Sequence, residues 1–287
     1  MDLALVVARF LHFAATMTLF GASLFASVLA PASLAPDLTP LLRRLIPPLA
    51  LLALVSAFAW LVFVARDMAG GELDPETLRD GLARTSFGMV WQGRLALLLL
   101  LVIAALRPDR RWRTPAALGA LCVASLGLVG HAAMQEGALG VAHRVNRAAH
   151  LLAVGAWLGG LPPFLLCLRR FANSGGRRDA LAAMMRYSRA GRFAVTAVFL
   201  SGSLDVAMTT GALPWPPLSP YRLGLDSKIL VFATMVALAL VNRYVFAPKI
   251  GRSAASAWAL AAGATAEIAL ALAAIALVSA FATHDPN

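Results

Sequence analysis

The stretch VNRAAHLLAVGAWLGGLPPFLLCL, residues 145–168, decides the fold. A helix needs about 20 apolar residues to cross a bilayer. This run has that length, and its titratable interruptions, Arg147 and His150, both lie near one end. Backbone polar groups in lipid must be paired within the segment, so a span of this kind is helical. Seven other runs share its character, at residues 5–29, 43–65, 87–106, 114–134, 190–211, 224–246 and 257–282. The short alternating segments of a β-barrel are not seen. The chain is 60% hydrophobic with a mean hydropathy of +0.76, far above a soluble domain. The connections are short. The reading is therefore one all-α domain over residues 1–287, a polytopic membrane helical bundle of eight transmembrane helices.

The net charge of +11 is a topology signal. Sixteen of the 25 Lys and Arg residues, among them Arg43, Arg44, Arg110, Arg111, Arg169, Arg170 and Arg243, fall in the odd-numbered connections or at the helix ends beside them, against Asp37, Asp109 and Asp179. The opposite side balances its cations with more acids. Lys and Arg mark the cytoplasmic side, which places both termini outside. A basic patch for nucleic acid is not expected; the partner surface is membrane lipid. The first run should remain as a helix, because no basic segment precedes it and it is too long for a signal-peptide core. Cys122 and Cys167 fall inside apolar runs with no CxxC, so they read as small buried apolar residues. A short surface helix is expected between Asp67 and Ser86, and a rigid extended loop over Pro214–Pro220 with Trp215 at the interface.

A weak repeat emerges when the first and fifth runs are superposed. Arg9, His12, Ala15 and Gly21 match Arg147, His150, Ala153 and Gly159 at equal spacing, and Phe87 and Arg94 match Tyr221 and Lys228. Matching at an offset of four helices implies two halves in the same orientation, about 1–135 and 136–287, a 4+4 parallel repeat. Sites in such proteins tend to lie where the halves meet.

Ionisable residues inside a bilayer are costly and read as functional by default. His131 and Met134, three apart, share a face at the outer end of the fourth run. His150 lies near the outer end of the fifth, continuing a stripe from His143 through Arg147 to Trp157. Asp205 and Met208 share a face in the outer third of the sixth, Met89 and Gln92 a face near the outer end of the third, with Arg94 just below. His12 lies deeper in the first run, and Glu267 near the middle of the eighth. Thioether sulfur with imidazole suits copper, as Cu(I) or Cu(II); zinc fits less well because Met partners it poorly. The expected metal residues are His12, His131, His150, Met134, Met89, Met208 and Asp205, with Arg94, Lys228 and Glu267 as charge or relay groups. Facing histidines can equally hold a b-type haem, for which His12 and His150 are the candidate axial pair. His143 is expected in a loop or first helical turn, solvated, His284 solvated near the C-terminus, and Met17 as packing.

Gly130-His131-Ala132, followed by Arg147-Ala-Ala-His150 and Ala156-Trp157-Leu-Gly159-Gly160-Leu161, resembles the middle of the CopD/PcoD copper-resistance membrane proteins. Arg186-Tyr187-Ser188-Arg189, Ser201-Gly202, Pro220-Tyr221-Arg222-Leu223-Gly224-Leu225, Lys228 and Asn242-Arg243 continue the likeness, as do His12 and Ser86-Phe87-Gly88-x-x-Trp91-x-x-Arg94. The resemblance implies an inner-membrane protein of copper homeostasis that moves copper inward, beside a separate periplasmic carrier of the CopC kind. A more local likeness, His followed nine residues later by Gly in the first and fifth runs, is to the HemJ-type haem-binding oxidases. Three functions follow: a copper permease with no catalysed reaction, a b-type haem oxidoreductase, or a copper sensor or scaffold for the carrier. No GxxxxGK[ST] is present, so transport would be passive or ion-coupled. No hydrolase motif is present either.

Overall fold

A computed structural model describes residues 3–71, 75–107, 112–130, 135–172, 177–210 and 220–281. Among the described residues the only regular structure is helical, and there are no strands. The helices are α1 (Leu3–Leu24), α2 (Ala35–Met68), α3 (Pro75–Arg84), α4 (Ser86–Leu106), α5 (Arg113–Ala124), α6 (Gly137–Ala172), α7 (Arg177–Thr210), α8 (Pro220–Val241) and α9 (Ala254–Phe281). Single π-turns extend α1 over Phe25–Leu29 and α8 over Asn242–Phe246. Seven of these segments are long and apolar enough to cross a membrane. α3 is the short helix expected between the second and third runs.

The helices outrun their apolar cores. Pro36 and Asp37 start α2 eight residues ahead of the expected position, because proline suits the first turn of a helix and a carboxylate there complements the helix dipole. At 34 residues α2 is about 51 Å long, well beyond a hydrocarbon core of about 30 Å. α6 likewise begins at Gly137 rather than at residue 145. The fourth apolar run is the exception. Hydropathy carries it over 114–134, but α5 passes into a 3-10 turn at Ser125–Leu128 and stops. Val129 is extended and Gly130 takes φ +80°, a left-handed conformation that glycine adopts without strain. The continuous helical stretch, Arg113–Leu128, is about 24 Å long at 1.5 Å per residue.

α1 lies at the centre, packed on α2, α5, α6 and α9. α6 pairs with α7 on its far side, and α8 packs on α9. The seam between α1 and α6 is close-packed backbone against backbone. A methyl group placed on Gly159 would stand 2.7 Å from the Gly21 Cα and 2.5 Å from the Met17 carbonyl oxygen, and one on Gly21 would meet Gly159 in return. One turn earlier Gly155 faces Met17 and Phe20. The register advances together on both helices, so α1 and α6 run parallel. Small residues let membrane helices approach this closely, where dispersion replaces the hydrophobic effect as the cohesive force. The outer faces carry exposed apolar side chains such as Val55, Phe58, Phe199 and Leu230, as a lipid-facing surface requires.

Candidate functional site

Two histidine clusters flank the α1–α6 seam. In the first, His12 of α1 is fully buried. Its Nδ1 lies 2.9 Å from the Ala53 carbonyl and 3.2 Å from the Ser56 Oγ, both on α2. Its Nε2 meets the Arg94 guanidinium from α4. Arginine can only donate, so Nε2 accepts and the proton sits on Nδ1. The Ser56 hydroxyl donates to the Leu52 carbonyl at 2.6 Å and is left to accept. Arg94 also donates to the Cys122 carbonyl at 2.6 Å and the Ser125 Oγ at 2.5 Å. Aromatic rings close the cluster: Trp60 and Trp91 at 4.9 Å, with Phe87 stacked on Trp91 at 4.7 Å. The Trp91 indole is anchored on the Ala57 carbonyl at 3.0 Å, and Arg9 lies 5.3 Å over the Trp60 ring.

The second cluster joins α6, α7 and α8. His150 Nδ1 lies 3.0 Å from the Ser201 Oγ, which itself stands 3.4 Å from the Val198 carbonyl. The Ser201 hydroxyl donates to the Ala197 carbonyl, so it accepts from the imidazole and the proton is again on Nδ1. Among the described residues nothing bonds His150 Nε2. A ring held by its N–H to the backbone or a hydroxyl, with the other nitrogen bare, is the usual posture of a metal-ligating histidine. Two turns back, His143 is 1% exposed. It faces Asp205 Oδ1 at 2.8 Å and Gln135 Oε1 at 2.9 Å. Gln135 turns its amide nitrogen to the Met208 carbonyl at 2.9 Å, so its oxygen is the atom toward His143. Both ring nitrogens of His143 therefore face oxygen acceptors. Arg147 approaches the other Asp205 oxygen at 3.8 Å. Lys228 of α8 stands close enough to interact electrostatically with His150 and Asp205.

Glu267 of α9 forms a third feature. Its carboxyl oxygens accept from Asn242 at 2.8 Å and from the Trp157 indole at 3.2 Å. Asn242 opens the π-turn that ends α8, and π-turns within helices frequently mark functional positions. Among the described residues the buried Asn242 Oδ1 has no hydrogen-bond partner, and it packs on Gly263. The Trp157 carbonyl in turn receives the Tyr187 hydroxyl at 2.6 Å.

Known proteins share this chain's sequence along most of its length. Residues 1–141 match the Copper resistance protein D-like, N-terminal domain, and residues 181–281 match the Copper resistance protein D family. The Inner membrane protein YebZ of Escherichia coli (strain K12) is 36% identical over 253 residues, 85% of each chain. The chain belongs to the copper resistance protein D family. The Copper resistance protein D of Pseudomonas syringae pv. tomato is 29% identical over 265 residues, 86% of this chain and 84% of that protein. No solved structure matches.

For a copper resistance protein D family member, the placement of the expected site residues is informative. His150, Asp205 and Lys228 come together, and Met208 is half-buried one turn from Asp205. His12 and Arg94 also come together, in the other cluster. Met89 does not join either: it is 63% exposed on the outer face of α4, five residues and hence about 140° from Arg94. His131 and Met134 lie outside the described residues, as do residues 214–219, Trp215 among them, and His284. His143, expected to be solvated, is buried, because α6 starts early enough to carry it into the bundle. Among the described residues no three His, Cys, Asp or Glu side chains come together as a metal cage. The Nε2 of His12 is taken by Arg94, so the ring does not fit a haem ligand unless Arg94 gives way. The pairing of His12 with Arg94 across 82 residues, and of His143 with Asp205, carried no local signal. The early start of α6 could have been read from Gly137.

Proposed function

We propose that this chain is a copper-handling permease of the bacterial inner (plasma) membrane. Copper is its substrate, received on the periplasmic side from a separate CopC-like carrier. The observation that supports this most directly is the Nε2 of His150, which no described residue bonds, in a copper resistance protein D family member, beside the His143–Asp205–Arg147 cluster. His150 is the proposed first ligand. His131, Met134 and Met208 complete the soft donor set, and Asp205 offsets the ion's charge. Glu267, held by Trp157 and Asn242, relays charge or protons deeper in the bundle. The reading has the chain cross the membrane eight times, with α5 and the residues after it as the fourth span. Both termini then lie outside, as the Lys and Arg distribution requires. No catalysed reaction is assigned.

The test is the double variant His131→Ala, His150→Ala in cells challenged with copper. Copper accumulation and sensitivity should both change from wild type; unchanged values sink the proposal. In proteoliposomes, binding without net uptake would replace the permease with a sensor or scaffold. A Soret band in purified protein would replace it with a haem protein.

A further inference from the structure

We propose that the chain carries two copies of one histidine half-site, of which only the copy around His150 keeps an open ligand position. The copy around His12 is a structural lock. The identity of the ligand rests on the copper reading above; the lock rests on geometry alone.

The equivalence is reciprocal. Gly21 and Gly159, matched in sequence, touch each other across the α1–α6 seam, as residues related by a two-fold axis between parallel helices must. Away from the seam each histidine is held in the same way by the helix that follows its own. His12 Nδ1 meets Ser56 and the carbonyl three residues before it, Ala53. His150 Nδ1 meets Ser201, and the Ser201 hydroxyl stands 3.4 Å from the carbonyl three residues before it, Val198, as the Ser56 hydroxyl stands 3.2 Å from Ala53. The third helix of each half carries a cation at the matched position: Arg94 bonded to the His12 imidazole in one, Lys228 near enough to act electrostatically on His150 in the other. Apolar sequence alone does not produce matched partners on three helices.

Two of the differences between the halves bear on the ligand position. Arg94 caps His12 Nε2, whereas no hydrogen bond joins Lys228 to His150 among the described residues. Four residues after the matched serines, Trp60 stands in the first half and Asp205 in the second. Arg9 accordingly lies on the face of an indole, while its counterpart Arg147 faces a carboxylate. A metal cation arriving at His12 would meet a guanidinium on the Nε2 lone pair, with aromatic rings around it and, among the described residues, no carboxylate bonded into the cluster. At His150 no described residue bonds the Nε2 lone pair, and Asp205 is near. Guanidinium is a planar, permanently charged donor and a lysine ammonium is a compact, mobile one. The Arg-to-Lys difference is therefore the difference between a permanent cap and a removable charge.

The test uses the full-length purified protein with 15N-labelled histidine, assigned by comparison with His12→Gln. The wild-type His12 signal should be the Nδ1–H tautomer with Nε2 accepting; an Nε2–H or doubly protonated ring overturns the lock. Lys228→Arg should then build the missing cap. Its copper affinity should fall roughly tenfold or more, the scale of an altered second shell, with melting unchanged. His12→Gln should do the reverse, melting several degrees lower while its folded fraction binds copper as wild type does. Unchanged affinity in Lys228→Arg, or lost binding in folded His12→Gln, overturns the division between the halves. A wild-type protein that takes up neither Cu(I) nor Cu(II) overturns the copper reading and the ligand identity with it, and the tautomer signal still decides the lock.

Discussion

Gly159→Ala should separate the two central helices. The added methyl would stand 2.5 Å from the Met17 carbonyl oxygen, 2.7 Å from the Thr18 carbonyl oxygen and 2.7 Å from the Gly21 Cα. All three are backbone atoms of α1, so no rotamer change relieves them. An ordinary carbon contact needs about 3.5 Å or more, which asks α1 and α6 to part by close to an ångström along the seam. The loss of interdigitated contacts on both sides puts the expected penalty at about 1–3 kcal/mol, the usual range for overpacking. Cys122 and Cys167 are both buried, so a thiol-reactive fluorophore added during heating reports opening of the bundle directly. The comparison is Gly191→Ala on α7, where a methyl meets nothing within 4 Å. That change should be neutral, or stabilising by about 0.5–1 kcal/mol through lower backbone entropy in the unfolded chain. Gly159→Ala melting at or above wild type, or level with Gly191→Ala, would refute the close seam.

Two further outcomes follow from the polar clusters. Asp205→Asn removes the charge that His143 and Arg147 share; copper tolerance should be impaired, and stability should fall by about 1–3 kcal/mol, less than for a fully buried pair because Asp205 is partly solvated. Unaltered copper tolerance in this variant would exclude Asp205 from ion handling. Glu267→Gln should melt within about 0.5 kcal/mol of wild type, because the unpartnered Asn242 Oδ1 can turn to receive the new amide N–H and restore a full set of bonds. A large drop in melting would show that Asn242 is not free to turn, and a fold left intact with copper uptake lost would tie Glu267 to transport.

The spans were legible because about 20 apolar residues in a row leave little alternative to a membrane helix. Their ends were less so. α2, α6 and α7 continue past the bilayer through Arg43, Arg144 and Arg178, where hydropathy falls but arginine remains a good helix former. That continuation carries His143 into the bundle. α5 fails in the opposite sense, since Gly127 and Gly130 end it while the sequence is still apolar. Within the site, the intrahelical spacings that put His143, Arg147 and His150 on one stripe could be read directly. The pairings of His12 with Arg94, and of Glu267 with Trp157 and Asn242, are set by how helices dock. Depth alone places Met89 near Arg94, and its helical angle turns it outward.

The central position of α1 has a consequence for biogenesis. α1 is made before the other described helices, yet its burial depends on α5, α6 and α9, which are translated later. A helix released into lipid with an unpaired imidazole would be a liability at that stage. The α1–α2 hairpin removes it at once, because Ala53 and Ser56 engage His12 as soon as the second helix is inserted. Arg94 arrives next, on α4, and finds Nε2 waiting. Thr16 satisfies itself on the His12 carbonyl of its own helix at 2.7 Å. Partners are thus ordered along the polypeptide in the sequence in which the ribosome delivers them, and the nascent N-terminal half need not await the C-terminal half to become compatible with the bilayer.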